Sequence, residues 1–131
     1  VIQHFFATKE VAHHNLEELI IVNYMHDRKS RMAELSDGFI ALPGGWGTFE
    51  EIFEMLTWAQ LGHHEKPCGL LNVESYYNDL FRFLDKAIEQ QFVKEAYRPM
   101  IMMDESPAGL LDSFDSYRAP RVKKWIGPEE T

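Results

Sequence analysis

Four short, continuous apolar runs punctuate the chain: Leu19-Ile20-Ile21-Val22, Phe39-Ile40-Ala41-Leu42, Cys68-Gly69-Leu70-Leu71-Asn72-Val73 and Met100-Ile101-Met102-Met103. Runs of this length without polar alternation mark strands covered on both faces. A helix-like segment follows each one. Met25 to Leu35 comes after the first run, and Phe49 to Leu61, closed by Gly62, after the second. Tyr76 to Phe92 comes after the third, with Leu80, Leu84, Ala87 and Ile88 at helical spacing. After the fourth, Ser106-Pro107 can cap and start a last helix reaching Phe114. Such alternation predicts βαβ units, and hence an α/β chain with a Rossmann-like, doubly wound parallel sheet. The stretch from Asp115 to Thr131, with Lys123, Lys124 and Trp125 near its end, has no clear period and is assigned no element.

Composition narrows the classes. At 131 residues and 45% hydrophobic content, the chain is sized for one globular domain with a real core, taken as residues 1–131. The 21 acidic residues outweigh the 13 Lys and Arg, for a net charge of −8, and such a field repels nucleic acid while leaving room for a small anion in a local pocket. Cys68 is the only cysteine, so no internal disulfide can form, which suits a reducing, cytoplasmic setting. No stretch approaches the ~20 apolar residues that span a bilayer, and no signal peptide is visible, so a membrane role is not expected. The chain opens on the strand-like pair Val1-Ile2 rather than on methionine.

The segment Pro43-Gly44-Gly45-Trp46-Gly47-Thr48-Phe49-Glu50-Glu51 lies where the second run ends and a helix begins. Ligands of open parallel sheets bind beyond the carboxyl ends of the strands. Gly44, Gly45 and Gly47 can take positive φ and carry no side chain, so their N–H groups can converge on an anion. Thr48 can then cap a helix whose free N–H groups favour a phosphate. The segment matches neither the dinucleotide fingerprint nor a Walker loop. A plainer reading is a strand-to-helix turn with Thr48-x-x-Glu51 as a capping box. Against it stand the three glycines, and the two carboxylates of Glu50 and Glu51. A carboxylate beside a sugar carbon can stabilise oxocarbenium-like charge or orient a water.

Met25, Arg28, Met32 and Leu35 fall on one face of the first long helix, where Arg28 interrupts an apolar stripe. Its guanidinium either grips a phosphate or carboxylate, or snorkels to solvent and pairs with Asp27 or Glu34. Trp46 can stack on a base or pack against a neighbouring helix, and His26 stands near Arg28 without a defined role. The pairs His13-His14 and His63-His64 lack ligand spacing and read as solvated histidines rather than a metal site. Trp58 and Met55 read as core or subunit contacts.

Met25-His26-x-Arg28-Lys29 followed by Pro43-Gly44-Gly45-x-Gly47-Thr48-x-x-Glu51 resembles the LOG family of cytokinin riboside 5′-monophosphate phosphoribohydrolases. The match continues through Thr57-Trp58-Ala59-Gln60-Leu61-Gly62, Lys66-Pro67-x-Gly69-Leu70-Leu71-Asn72 and Tyr76-Tyr77, and the earlier Lys9-Glu10-Val11-Ala12-His13 fits it too. The resemblance implies hydrolysis of the N-glycosidic bond of a nucleoside 5′-monophosphate, without a cofactor, in a homodimer. It makes Arg28 and Glu51 the catalytic pair. Gly44, Gly45, Gly47 and Thr48 bind phosphate, Glu50 supports the site, and Met25, Lys29 and Trp46 join the substrate-binding set. Members often carry a lysine decarboxylase label, but such chemistry ordinarily calls for pyridoxal phosphate on a lysine, and no lysine here sits in a recognisable site for one. Members also usually open with a first βαβ unit that these residues lack, so the chain matches roughly the last two thirds of the family domain. The alternative reading is a nucleotide-binding or carrier module that cleaves nothing.

Overall fold

A computed structural model describes residues 1–8, 13 and 15–122 of the chain. Lys9 to Ala12 and His14, singled out in the sequence, lie outside the described residues, as do Lys123, Lys124 and Trp125. The chain divides into two compact units, Val1–Asp37 and a second from Gly38 onward.

The first unit runs β1 (Ile2–Gln3), α1 (His4–Thr8), β2 (Ile21–Val22) and α2 (Met25–Leu35). The strands pair in parallel, with Ile2 opposite Ile21. Only the last two residues of the apolar run at 19–22 are strand. Helix α2 has the bounds its periodicity predicts, and Ser36 ends it by donating its hydroxyl to the Met32 carbonyl at 2.7 Å. Neither helix of this unit buries a residue.

The second unit alternates β3 (Phe39–Ala41), α3 (Trp46–Gln60), β4 (Cys68–Leu71), α4 (Asn78–Glu89), β5 (Ile101–Asp104) and α5 (Pro107–Ser116). Its three strands are parallel in the order β3-β4-β5, with Ala41 opposite Leu70 and Leu70 opposite Met103. The expected α/β fold with a parallel sheet is therefore present. Residues alternate between the two faces. Gly69 faces α5, where an added Cβ would come within 2.7 Å of Leu110 and 3.0 Å of Phe114. Ile101, on the opposite face, borders a cleft shared with Phe53 and Leu56 of α3 and Leu84 of α4. Helices thus cover both sides, which explains why Cys68 and Leu70 are both 0% exposed and why these strands read as unbroken apolar runs. Burying Leu70 and Leu110 stabilises the unit by roughly 2 kcal/mol each.

Helix α3 starts three residues before the expected Phe49, because Gly45 is the N-cap and Trp46, Gly47 and Thr48 already belong to its first turn. It stops as expected. Gly62 takes φ +84, its N–H donates to the Ala59 carbonyl at 3.0 Å, and the His63 N–H donates to the Trp58 carbonyl at 2.9 Å, closing the helix with a Schellman turn. Helix α4 is shorter than the predicted span from Tyr76 to Phe92, since Tyr76 and Tyr77 form a turn and Gln91 adopts φ 63. Helix α5 begins at the predicted Ser106-Pro107 cap, with the Ser106 hydroxyl accepting from the Gly109 N–H at 3.1 Å, and continues past Phe114 to Ser116. Among the described residues no helix is long and apolar enough to cross a membrane.

Candidate functional site

The glycine segment is split by the start of α3. Gly44 and Gly45 form the turn after β3, and Gly47 sits inside the helix. The first intrahelical hydrogen bond runs from the Phe49 N–H to the Gly45 carbonyl at 3.0 Å, so the N–H groups of Trp46, Gly47 and Thr48 precede the ladder at the positive end of a 15-residue helix. A Cβ added at Gly45 or Gly47 would meet nothing within 4 Å, so both backbones face open space. Gly44 differs, because a Cβ there would collide with the Thr48 side chain. None of the three takes positive φ; their use is the missing side chain, not a left-handed backbone. Thr48, expected as the cap, is the third residue of the helix and folds back over Gly44, which removes the Thr48–Glu51 capping box.

Along α3, Thr48, Glu51, Ile52 and Met55 recur at the spacing of one helical face. Ile52 and Met55 are buried, Thr48 and Glu51 are half-buried, and Glu50 points to the exposed side. Glu51 therefore stands one turn into the helix on the same stripe as Thr48. Trp46, at 89% exposed, packs edge-on to Phe49 of its own helix with ring centroids 6.1 Å apart, and not against a neighbouring helix.

The turn is also gripped from the next loop, a feature the sequence did not reveal. Tyr76 donates its hydroxyl to the Gly44 carbonyl and Tyr77 to the Leu42 carbonyl, each at 2.5 Å. Asn72, 4% exposed, fixes that loop: its Oδ1 accepts from the Tyr77 N–H at 2.8 Å, its Nδ2 donates to Asn78 Oδ1 at 2.7 Å, and its own N–H donates to the Asp104 carbonyl at 2.8 Å. Burial, and then the neighbouring Tyr76, push the Tyr77 phenol above its ordinary value, which keeps it a donor through neutral pH.

In the first unit, α2 carries Met25, His26, Arg28 and Lys29. Arg28 is half-buried, donating Nε–H to the Val1 carbonyl at 3.2 Å with Nη1 4.0 Å from Met25 Sδ. It borders a cleft of about 450 Å³ with Ile2, Phe6 and Met25. Arg31 pairs with Glu34 at 3.0 Å on the outer surface. Lys29 is half-buried, and Met25 and His26 are exposed.

Elsewhere, His64 is no solvated histidine. Its Nε2 bonds the Met55 carbonyl at 2.8 Å and its Nδ1 accepts from the Lys66 N–H at 3.0 Å, the pattern of a neutral ring. Burial lowers its pKa against the raising effect of the Met55 carbonyl. Clefts of about 490 Å³, bordered by His64, Tyr97 and Tyr117, and about 200 Å³, bordered by Phe53 and Leu84, open in the second unit. Neither touches residues 43–51. Among the described residues no group of three or more His, Cys, Asp or Glu is gathered as a metal site.

Comparison with known proteins agrees with the motifs. The family described as "possible lysine decarboxylase" matches residues 1–114. A probable cytokinin riboside 5′-monophosphate phosphoribohydrolase of Oryza sativa subsp. japonica is 46% identical over 126 residues, covering 96% of this chain and 50% of the relative. A cytokinin riboside 5′-monophosphate phosphoribohydrolase of Arabidopsis thaliana is 47% identical over 124 residues, covering 95% of this chain and 58% of the relative. The chain thus spans about half the length of the curated relatives it matches. With 114 residues under the family model and both motifs in order, the chain belongs to the LOG-type family that carries the description possible lysine decarboxylase.

Proposed function

We propose that this chain is the working part of a hydrolase that cleaves the N-glycosidic bond of a nucleoside 5′-monophosphate, giving a free base and ribose 5-phosphate. The observation that carries the reading is the start of α3: open glycine backbone at a helix N-terminus, with Glu51 one turn along the same face. A 5′-phosphate is seated by the N–H groups from Gly45 to Thr48. Glu51 then lies toward the sugar, where its carboxylate stabilises positive charge growing at C1′ and directs a water to it. The C1′–N bond breaks with its electron pair on the base, the water oxygen bonds to C1′, and the water's proton ends on the base nitrogen. No redox partner or cofactor enters this balance. Arg28 brings a guanidinium with five N–H donors and no acceptor, so its part is electrostatic, holding phosphate or leaving group. Met25, Lys29 and Trp46 complete the binding set, and Glu50 supports it from the outer face.

The names of the plant relatives support a cytokinin riboside monophosphate as substrate, with AMP as the simplest test compound. We further infer a soluble cytoplasmic homodimer that uses neither nucleic acid nor membrane. Incubating the whole protein with AMP and with a cytokinin riboside monophosphate, and measuring base and ribose 5-phosphate, tests the reading. Release from either is the expected result. Tight AMP binding without ribose 5-phosphate would replace it by a non-catalytic nucleotide-binding module.

A further inference from the structure

The Gly44–Gly45 linkage is the least constrained peptide of the turn, because neither flanking residue has a Cβ to resist rotation of the plane between them. Left to itself it can flip, carrying the Gly45 N–H from one side of the turn to the other. The Tyr76 hydroxyl stands on one side, donating to the Gly44 carbonyl. In a trans peptide the carbonyl and the following N–H point in opposite directions, and no peptide bond among the described residues is cis. The Gly45 N–H therefore points away from Tyr76, with open space around its Cα.

The loop that delivers Tyr76 is built at a cost. Glu74 and Ser75, immediately before it, both hold left-handed backbone, φ 49 and φ 61, although neither is glycine. Each such residue costs on the order of 1 kcal/mol and persists only where its surroundings impose it. Here the surroundings are the Asn72 hydrogen bonds and the Tyr77 hydroxyl on Leu42. Tyr76 itself is 51% exposed, so its ring contributes little core. Its hydroxyl contact across 32 residues of sequence is what the strained turn delivers.

We propose that Tyr76 is a positioning residue of the phosphate seat: by holding the Gly44 carbonyl it locks the Gly44–Gly45 peptide with the Gly45 N–H presented to the bound phosphate. This rests on the proposed seating of a 5′-phosphate at α3. The test is Tyr76→Phe in the whole protein, with binding of inorganic phosphate, AMP and adenosine measured by calorimetry alongside the melting temperature. One lost hydrogen bond to the presenting peptide weakens phosphate and AMP by about five- to tenfold. Adenosine, which lacks the phosphate, stays within about twofold, and the melting temperature within about 2 °C. KM for AMP rises with the weaker binding while kcat is nearly unchanged. In the ligand-free variant the ¹⁵N-labelled Gly45 amide broadens, whereas that of Gly62 does not. Equal phosphate binding by Y76F and wild type overturns the inference and leaves the seat standing. Equal losses for AMP and adenosine, or a melting temperature lower by many degrees, make Tyr76 merely structural and also overturn it. A wild-type protein that binds neither phosphate nor AMP overturns the seat and the inference together.

Discussion

The two motif-bearing units are held in very different ways. The unit with Arg28 has two-residue strands and no buried residue in either helix, and Arg28 is steadied by the Val1 carbonyl and the Met25 sulfur. The unit with Glu51 has a three-stranded sheet covered on both faces, and its glycine turn is tied to two tyrosines. All the buried core residues among those described belong to this second unit. The difference teaches that the proposed anion seat is preorganised by its own unit, whereas the arginine sits on a scaffold with little packing to define it. Preorganisation matters because donors aimed in advance need no rearrangement when charge develops.

Hydrogen exchange sharpens the contrast most. The amides of Gly69 to Leu71 are expected to exchange at least about a thousandfold more slowly than those of Ile2 and Val22, because opening the second sheet exposes a core and opening the first does not. Equal protection would abolish the distinction. Next comes chemistry. Glu51→Gln is expected to lower kcat by about 10²- to 10⁴-fold while AMP binding, measured by calorimetry, stays near wild type. Undiminished turnover would return Glu51 to an ordinary helix residue.

A paired substitution probes the seat itself. Gly44→Ala forces a Cβ into Thr48 and is expected to destabilise the protein by about 1–3 kcal/mol in urea unfolding. Gly45→Ala meets nothing, so stability should hold within about 1 kcal/mol while phosphate binding falls, since the methyl occupies the open approach. If G45A bound phosphate as wild type does, the anion would sit elsewhere.

The smallest effect concerns pH. Burial pushes the Cys68 thiol up from 9.0 to about 12, so the folded state keeps a proton that the unfolded chain releases. The stability this gives is full below pH 9.0 and is lost as pH rises toward about 12. Burial acts on Tyr77 in the same direction. The urea midpoint should therefore be lower at about pH 10.5 than at neutrality, and Cys68→Ala should flatten that slope. An unchanged slope in C68A would remove the thiol from the account.

Much of the architecture was legible because it is written locally. Helix α2 ends where its apolar spacing ends, α5 starts at a Ser-Pro cap, and the parallel strands show as unbroken apolar runs because both faces are covered. The start of α3 was displaced because glycine is a weak helix signal, so Trp46 to Thr48 read as turn. The left-handed backbone anticipated in the glycine segment is found at Gly62, Glu74, Ser75 and Gln91 instead. Tyr76 and Tyr77 entered as the start of a helix and as motif letters but not as partners of the glycine turn, since bonds spanning 32 and 35 residues leave no trace in periodicity. His64 was hidden for the same reason, its partner Met55 lying on the preceding helix.

Helix α3 has a consequence for selectivity that its stripe of Thr48, Glu51 and Met55 makes simple. Because the proposed seat and the carboxylate share one rod, their separation is a gauge, about 4.5 Å of axial rise from residue 48 to residue 51. In the reaction proposed above, a sugar would be measured against it. Ribose with its phosphate on the 5′ oxygen would lay C1′ at one reach from that seat and the 3′ isomer at another, so the helix would discriminate positional isomers without touching the base. One residue inserted between Thr48 and Glu51 would lengthen the gauge by about 1.5 Å and swing the carboxylate about 100° around the rod, off the sugar altogether.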